Sequence, residues 1–187
     1  MNTDTELIRR HLKGDEQASQ ALIEKYQDMV YSLAWRMLRD REEAKDAAQE
    51  VFLRALDSLP GFREECAFST WLYRIAVNGC IFRSKLKKRR SATEISVDGQ
   101  NVQAYYLADS SPSSLELVER QERDTRLHQA IAELAEPYRT VIVLCYFQEL
   151  TYEEIARVLS APVGTVNVRL FRARRLLLRK LRTQVEM

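Results

Sequence analysis

Helical periodicity occupies both flanks of this chain and fails over one long stretch between them. Ala18, Ala21, Leu22, Ile23 and Tyr26 recur at helical spacing, and Met29, Leu33, Trp35, Met37 and Leu38 continue the pattern. A short helix is expected before it, over Thr5 to Lys13, with Asp15 capping the longer one. Asp40 serves as stop and cap before REEAKDAAQEVFLRAL, which runs to about Ser58 and ends at Pro60-Gly61. A further helix is expected to open near Ser69 or Thr70 and run toward Arg90. Residues 91–114, SATEISVDGQNVQAYYLADSSPSS, then lose helical periodicity and read as a linker, partly ordered by Tyr105 and Tyr106. Beyond it, Leu127, Ile131 and Leu134 share a face. Pro137 starts a new helix at Tyr138, which carries Val141, Ile142, Leu144, Cys145 and Phe147.

The expected fold class is therefore all-α: two small helical domains, 1–90 and 115–187, joined by a flexible linker over 91–114. Composition agrees. Five glycines and four prolines in 187 residues are few for a turn-rich all-β fold, and 45% hydrophobic residues suffice for packed cores. No apolar run approaches the roughly 20 residues of a membrane span, and the charged N-terminus is not a signal peptide. Cys66, Cys80 and Cys145 are scattered without CxxC spacing, so reduced, mostly buried thiols in a cytoplasmic protein are expected.

The strongest local motif is LTYEEIARVLSAPVGTVNVRLFRARRLLLRKL, Leu150 to Leu181. Thr151 and Glu154 form a capping box, Ile155, Val158 and Leu159 give the helix an apolar face, and Ser160 to Pro162 break it. A second helix starts near Gly164-Thr165, with Val166, Leu170 and Ala173 facing inward and Arg169, Arg172, Arg174 and Arg175 left outward or flanking. Two short helices, a tight break and a basic second helix describe a DNA-reading helix-turn-helix.

A different pattern fills Phe62 to Arg90. Phe62, Phe68, Trp71 and Tyr73 cluster closely, and RSKLKKRR ends the same helix. Aromatics beside positive charge suit unstacked bases, since every base offers a π-face. Arg74, Asn78, Ile81, Lys85 and Lys88 fall along one helical stripe that can track a strand. The alternative is that Phe68, Trp71, Leu72 and Ile75 are core, and at least half of these aromatics are expected to be. Asp46 and Glu50, with Gln49 beside them and Asp40, Glu42 and Glu43 upstream, make a carboxylate face that would repel phosphate. By charge it is either a solvated face or a docking face for a basic protein partner.

DAAQEVFLRAL, then FREECAFSTWLYRIAVN, then LTYEEIARVLSAPVGTVNVRLFRARRLL, in that order, resemble a bacterial sigma factor of the extracytoplasmic-function group, over about residues 8 to 183. The resemblance implies a first domain that binds core RNA polymerase and melts the −10 promoter element, and a second that reads the −35 element. It implies that Asp46, Gln49, Glu50 and Phe52 dock on the polymerase. It assigns the −10 element to the Phe62–Phe68 loop and to Asn78; with Arg63 and, from the aromatic and basic pattern, Trp71, Tyr73, Arg74, Lys85 and Lys88, these are the residues expected to meet it. The −35 element falls to Thr165, Asn167, Val168, Arg169, Phe171, Arg172 and Arg175. Such factors are usually held by an anti-sigma factor, often membrane-anchored, so such a partner is expected, with no cofactor or metal and no membrane insertion of this chain. Two departures stand out: Ser160 where many relatives have glycine, and Asn167-Val168 where relatives often carry a basic residue and a serine. Serine resists a left-handed conformation, whereas Asn pairs with adenine and Val touches a thymine methyl.

Two other functions compete. A stand-alone helix-turn-helix regulator needs no polymerase, but leaves the carboxylate face and the aromatic block unexplained. An enzyme is disfavoured: His11 and His128 are the only histidines, and no phosphate loop, metal spacing or nucleophile elbow occurs.

Overall fold

The computed structural model describes residues 3–93 and 124–185. Most of the expected linker, including Tyr105 and Tyr106, lies outside the described residues. All regular elements among the described residues are helical.

Helix α1 spans Thr3–His11. It ends earlier than periodicity suggested because the chain reverses at Gly14, whose φ of 86° places it in the left-handed region. Asp15 then caps α2 (Glu16–Leu38), its carboxylate accepting from the Gln17 and Ala18 amides. Asp4 ties α1 down, accepting hydrogen bonds from the Tyr26 hydroxyl and from Lys25. Arg39 closes α2 in a left-handed conformation, and Asp40 caps α3 (Arg41–Ser58) through the Glu42 and Glu43 amides. With two residues between them, α2 and α3 fold back on each other. A 3₁₀ turn, Leu59–Gly61, and a loop lead to α4, Phe68–Thr93.

These helices close around Leu22, Val30 and Leu33 of α2, Val51 and Ala55 of α3, and Leu72, Val77 and Cys80 of α4, all buried. The buried face of α3 carries three alanines, Ala44, Ala47 and Ala55, which let the backbones approach.

In the C-terminal region a helix over 124–132 (α5) precedes α6 (Glu136–Ile142), with Pro137 in its first turn. The α6 helix does not continue as expected through Phe147. It widens into a π turn, Val143–Phe147, closed by the Gln148 amide donating to the Val143 carbonyl at 3.2 Å. Val143 and Leu144 point inward there, whereas Tyr146 is exposed. Helix α7 (Tyr152–Leu159) and helix α8 (Val163–Val185) complete the chain.

The two helical regions share one core. Ile131, Leu134, Val141 to Leu144, Ile155 and Val158 join the same apolar cluster as Leu33, Met37 and Leu72. Polar contacts cross the joint as well. The Tyr73 hydroxyl donates to Gln148 Oε1 at 2.8 Å, and Arg36 Nη1 donates to His128 Nε2 at 2.9 Å.

Candidate nucleic-acid interface

The capping box forms: the Glu154 amide donates to Thr151 Oγ1 at 3.3 Å, and the Thr151 amide donates to the Glu154 carboxylate at 2.9 Å. Helix α7 ends at Ser160, which takes the left-handed conformation (φ 48°, ψ 46°) that a serine resists. That conformation turns the chain so that α8 begins three residues later. Val166, Leu170 and Ala173 anchor α8 in the core as expected. Of the residues expected to meet −35, Asn167, Val168 (49% exposed), Phe171 (60% exposed), Arg172 and Arg175 point outward, with Thr165 and Arg169 half-buried. A shallow groove between Ala135–Tyr138 and α8 is lined by Thr165, Val168, Arg169 and Arg172. The arginines along it form a positive wall beside the first turns of α8, where a helix in a major groove reaches bases.

Arg174 is not part of that wall. Its guanidinium donates to the hydroxyls of Tyr146 at 2.6 Å and Tyr152 at 2.9 Å, fastening α8 to the π turn and to α7. Arg175 instead lies over the Phe171 ring, 5.8 Å from its centroid.

The aromatic block is built mostly as core. Phe68, Trp71 and Tyr73 are buried, and Phe62 is half-buried. Phe62 packs edge-on to Phe68 at 5.9 Å and tilted against Trp71 at 5.2 Å, while Tyr26 closes the far side against Phe68 at 5.3 Å. Burial pushes the Tyr73 phenol up to about 12, so it stays a neutral donor to Gln148. Arg63 is exposed on the same loop. Cys66 is half-buried there, and Cys145 is half-buried within the π turn. Cys80 is fully buried, and its thiol is pushed up to about 12.

Helix α4 sorts its cations by side. Arg83 reaches across to α3, donating to Glu50 at 2.9 Å and to Glu43 at 3.2 Å, and Lys87 pairs with Asp40 at 3.2 Å. Arg74, Lys85 and Lys88 lie on the opposite side with Asn78, exposed and outside every ion pair of the described residues.

On α3, Asp46 and Gln49 are exposed and Glu50 is partly so. The Arg83 hydrogen bond, ahead of the Arg54 and Arg83 charges, holds the Glu50 carboxyl below its ordinary value. Phe52 points inward at 9% exposure. The apolar group on the carboxylate face is its neighbour Leu53, 65% exposed, at i+7 from Asp46 and i+4 from Gln49. Leu53 and the exposed Phe82 of α4 have no counterpart among the sequence-based expectations. Helical phase sets each at a spacing shared with polar residues, but which side of the helix is covered depends on packing against other helices.

Two family models match the chain: Sigma-70 region 2 over residues 22–90, and Sigma-70, region 4 over residues 124–177. The RNA polymerase sigma-H factor of Pseudomonas aeruginosa is 38% identical over 175 residues, 91% of this chain and 90% of that protein. The ECF RNA polymerase sigma factor SigW of Bacillus subtilis is 39% identical over 183 residues, 94% of this chain and 95% of that protein. The ECF RNA polymerase sigma-E factor of Escherichia coli is 38% identical over 176 residues, 92% and 91% of the two chains. Among solved structures, CnrH in complex with the cytosolic domain of CnrY shares the fold at a TM-score of 0.69, with 24% identity, covering 97% of this chain and 99% of that one. The sigma factor RpoE in complex with the anti-sigma factor NepR, from Bartonella quintana, gives the same TM-score of 0.69 at 20% identity, covering 87% of this chain and 96% of that one.

Proposed function

Because the chain belongs to the sigma-70 family and to its extracytoplasmic-function group, directing promoter-specific initiation without being itself an enzyme, we propose how its surfaces divide that task. Residues 1–90 form the unit that meets core RNA polymerase and opens the −10 element. Residues 91–114 form the link, and 115–187 the unit that reads −35. Asp46, Gln49 and Glu50 present carboxylate and amide groups to a basic polymerase surface, with Leu53 as the apolar anchor at the C-terminal end of the same face. Phe52 supports that face from below.

On α4, Arg74, Asn78, Lys85 and Lys88 track the −10 strand, and Arg63 with the half-buried Phe62 guards the loop where an extruded base is held. Phe68, Trp71 and Tyr73 shape that pocket from the core side. Base extrusion costs a few kcal/mol, which stacking in a pocket offsets. On α8, Thr165, Asn167 and Val168 meet base edges, while Arg169, Arg172 and Arg175 meet phosphates and Phe171 supplies apolar contact. The factor works in the cytoplasm, in keeping with the absence from its described residues of any helix long and apolar enough to cross a membrane. An anti-sigma factor restrains it. The complexes of CnrH with CnrY and of RpoE with NepR support that reading by analogy of fold.

The observation that carries the division is the exposed carboxylate face of α3 on the same chain as the helix-turn-helix of α7 and α8. A stand-alone regulator has no use for that face. The test is transcription by bacterial core polymerase from a promoter library with and without this chain. Start sites that depend on the chain and share −35 and −10 elements are expected. A folded chain that binds no core polymerase and yields no such transcripts refutes the reading.

A further inference from the structure

We propose that Phe82 is a stacking residue for an unpaired base of the −10 strand. The proposal rests on the reading of α4 given above and adds to it the one aromatic ring that the helix presents to solvent.

With Phe68, Trp71 and Tyr73 buried, the sequence cluster offers a strand little open π-surface beyond the half-buried Phe62. Phe82 is 54% exposed. It follows Asn78 by four residues and precedes Lys85 by three, so its ring stands on the same face as both. That face spans roughly 21 Å from Arg74 to Lys88 at 1.5 Å per residue. The described α4 sequence contains no carboxylate, so nothing on the helix itself opposes a phosphate chain. The cations not needed there are withdrawn: Arg83 is held by Glu43 and Glu50, and Lys87 by Asp40, on the side that packs toward α3. A ring exposed among Arg74, Asn78 and Lys85 combines backbone neutralisation with a stacking platform, the pairing that single-stranded nucleic acid requires. A basic protein partner is disfavoured on this face by charge.

The test uses holoenzyme assembled from the full chain and core polymerase. The probe is a single-stranded oligonucleotide carrying the −10 element defined by the transcripts above, with 2-aminopurine replacing its purines in turn. Phe82→Ala should weaken oligonucleotide binding by about 5- to 150-fold, the range of one lost stack. It should remove the quenching of one 2-aminopurine and leave core polymerase binding unchanged. Phe82→Trp should restore binding, whereas Phe82→Leu, apolar but without a π-face, should not. Because the ring is exposed, its removal leaves the core intact, and the unfolding midpoint of each variant checks that. Three results would overturn the proposal: unchanged oligonucleotide affinity in Phe82→Ala, full rescue by Phe82→Leu, or loss of core polymerase affinity in Phe82→Ala. If wild-type holoenzyme itself fails to transcribe, the broader functional reading fails instead.

Discussion

The Tyr73 hydroxyl and Gln148 Oε1 lie 2.8 Å apart across 75 residues of sequence, joining α4 to the end of the π turn. The helices proposed to read −10 and −35 are thereby held on one core. The two elements lie roughly 25 base pairs apart by their positions, or ~85 Å along B-form DNA at 3.4 Å per step. A joint closed by Tyr73–Gln148 and Arg36–His128 cannot span that distance, so it must part when the factor engages a promoter. Donor and acceptor dyes on α3 and α8 should show high energy transfer in the free chain and low transfer in holoenzyme. Tyr73→Phe removes one joint hydrogen bond. It should cost the free chain about 1 kcal/mol, or roughly 2–4 °C in its unfolding midpoint.

Phe52 and Leu53 are adjacent apolar residues with opposite duties. Phe52→Ala empties a core site and should destabilise the chain by about 3 kcal/mol in chemical denaturation. Leu53→Ala should stay within about 0.5 kcal/mol of wild type, because its side chain is mostly in water. In a core polymerase binding assay it should nonetheless weaken affinity at least about tenfold, as expected of an apolar interface anchor. Unchanged affinity for Leu53→Ala would remove it from the docking face.

Ser160 occupies a left-handed conformation with φ 48°. Ser160→Gly should raise stability by about 0.5–1 kcal/mol, since relief of side-chain strain exceeds the added flexibility of the unfolded chain. The unfolding midpoint should rise, with −35 preference unaltered. A fall in the midpoint would mean that the serine hydroxyl contributes more than the strain costs.

On α8, Arg172→Ala should weaken promoter binding and reduce the slope of log affinity against log salt by about 1, the signature of one lost phosphate contact. Asn167→Ala should leave the slope in place and relax base preference at one step of a −35 library. Equal salt slopes for wild type and Arg172→Ala would move that arginine off the backbone.

Acid should weaken the α3 region. The Glu43 amide, then the Lys87 pair, hold the Asp40 carboxyl below its ordinary value, and the Arg83 hydrogen bond does the same for Glu50. Their folded-state pKa values are depressed, so the stability they confer is present above the ordinary carboxylate pKa of about 4. It is lost as pH falls through the lowered values. Thermal unfolding followed from pH 6 downward should show a midpoint that declines below about pH 4.5. Asp40→Asn keeps a capping acceptor that does not titrate, and should flatten part of that decline.

Local sequence settles whatever is decided within a turn or two of backbone. Asp15 and Asp40 start helices because a carboxylate meets free amides two and three residues on. Thr151 and Glu154 do so reciprocally, and the spacing of Val166, Leu170 and Ala173 sets which side of α8 is buried. Which of several equally apolar or basic residues stayed in water was settled by packing between helices. Phe52 went inward and Leu53 outward because other helices cover one side of α3 and not the other. Trp71 and Tyr73 became walls, Phe82 remained exposed, and Arg174 was taken from the DNA face by Tyr146 and Tyr152, which come from different elements. Helical phase places a residue on a face. What lies against that face is set by packing between segments far apart in the chain, and no local signal encodes it.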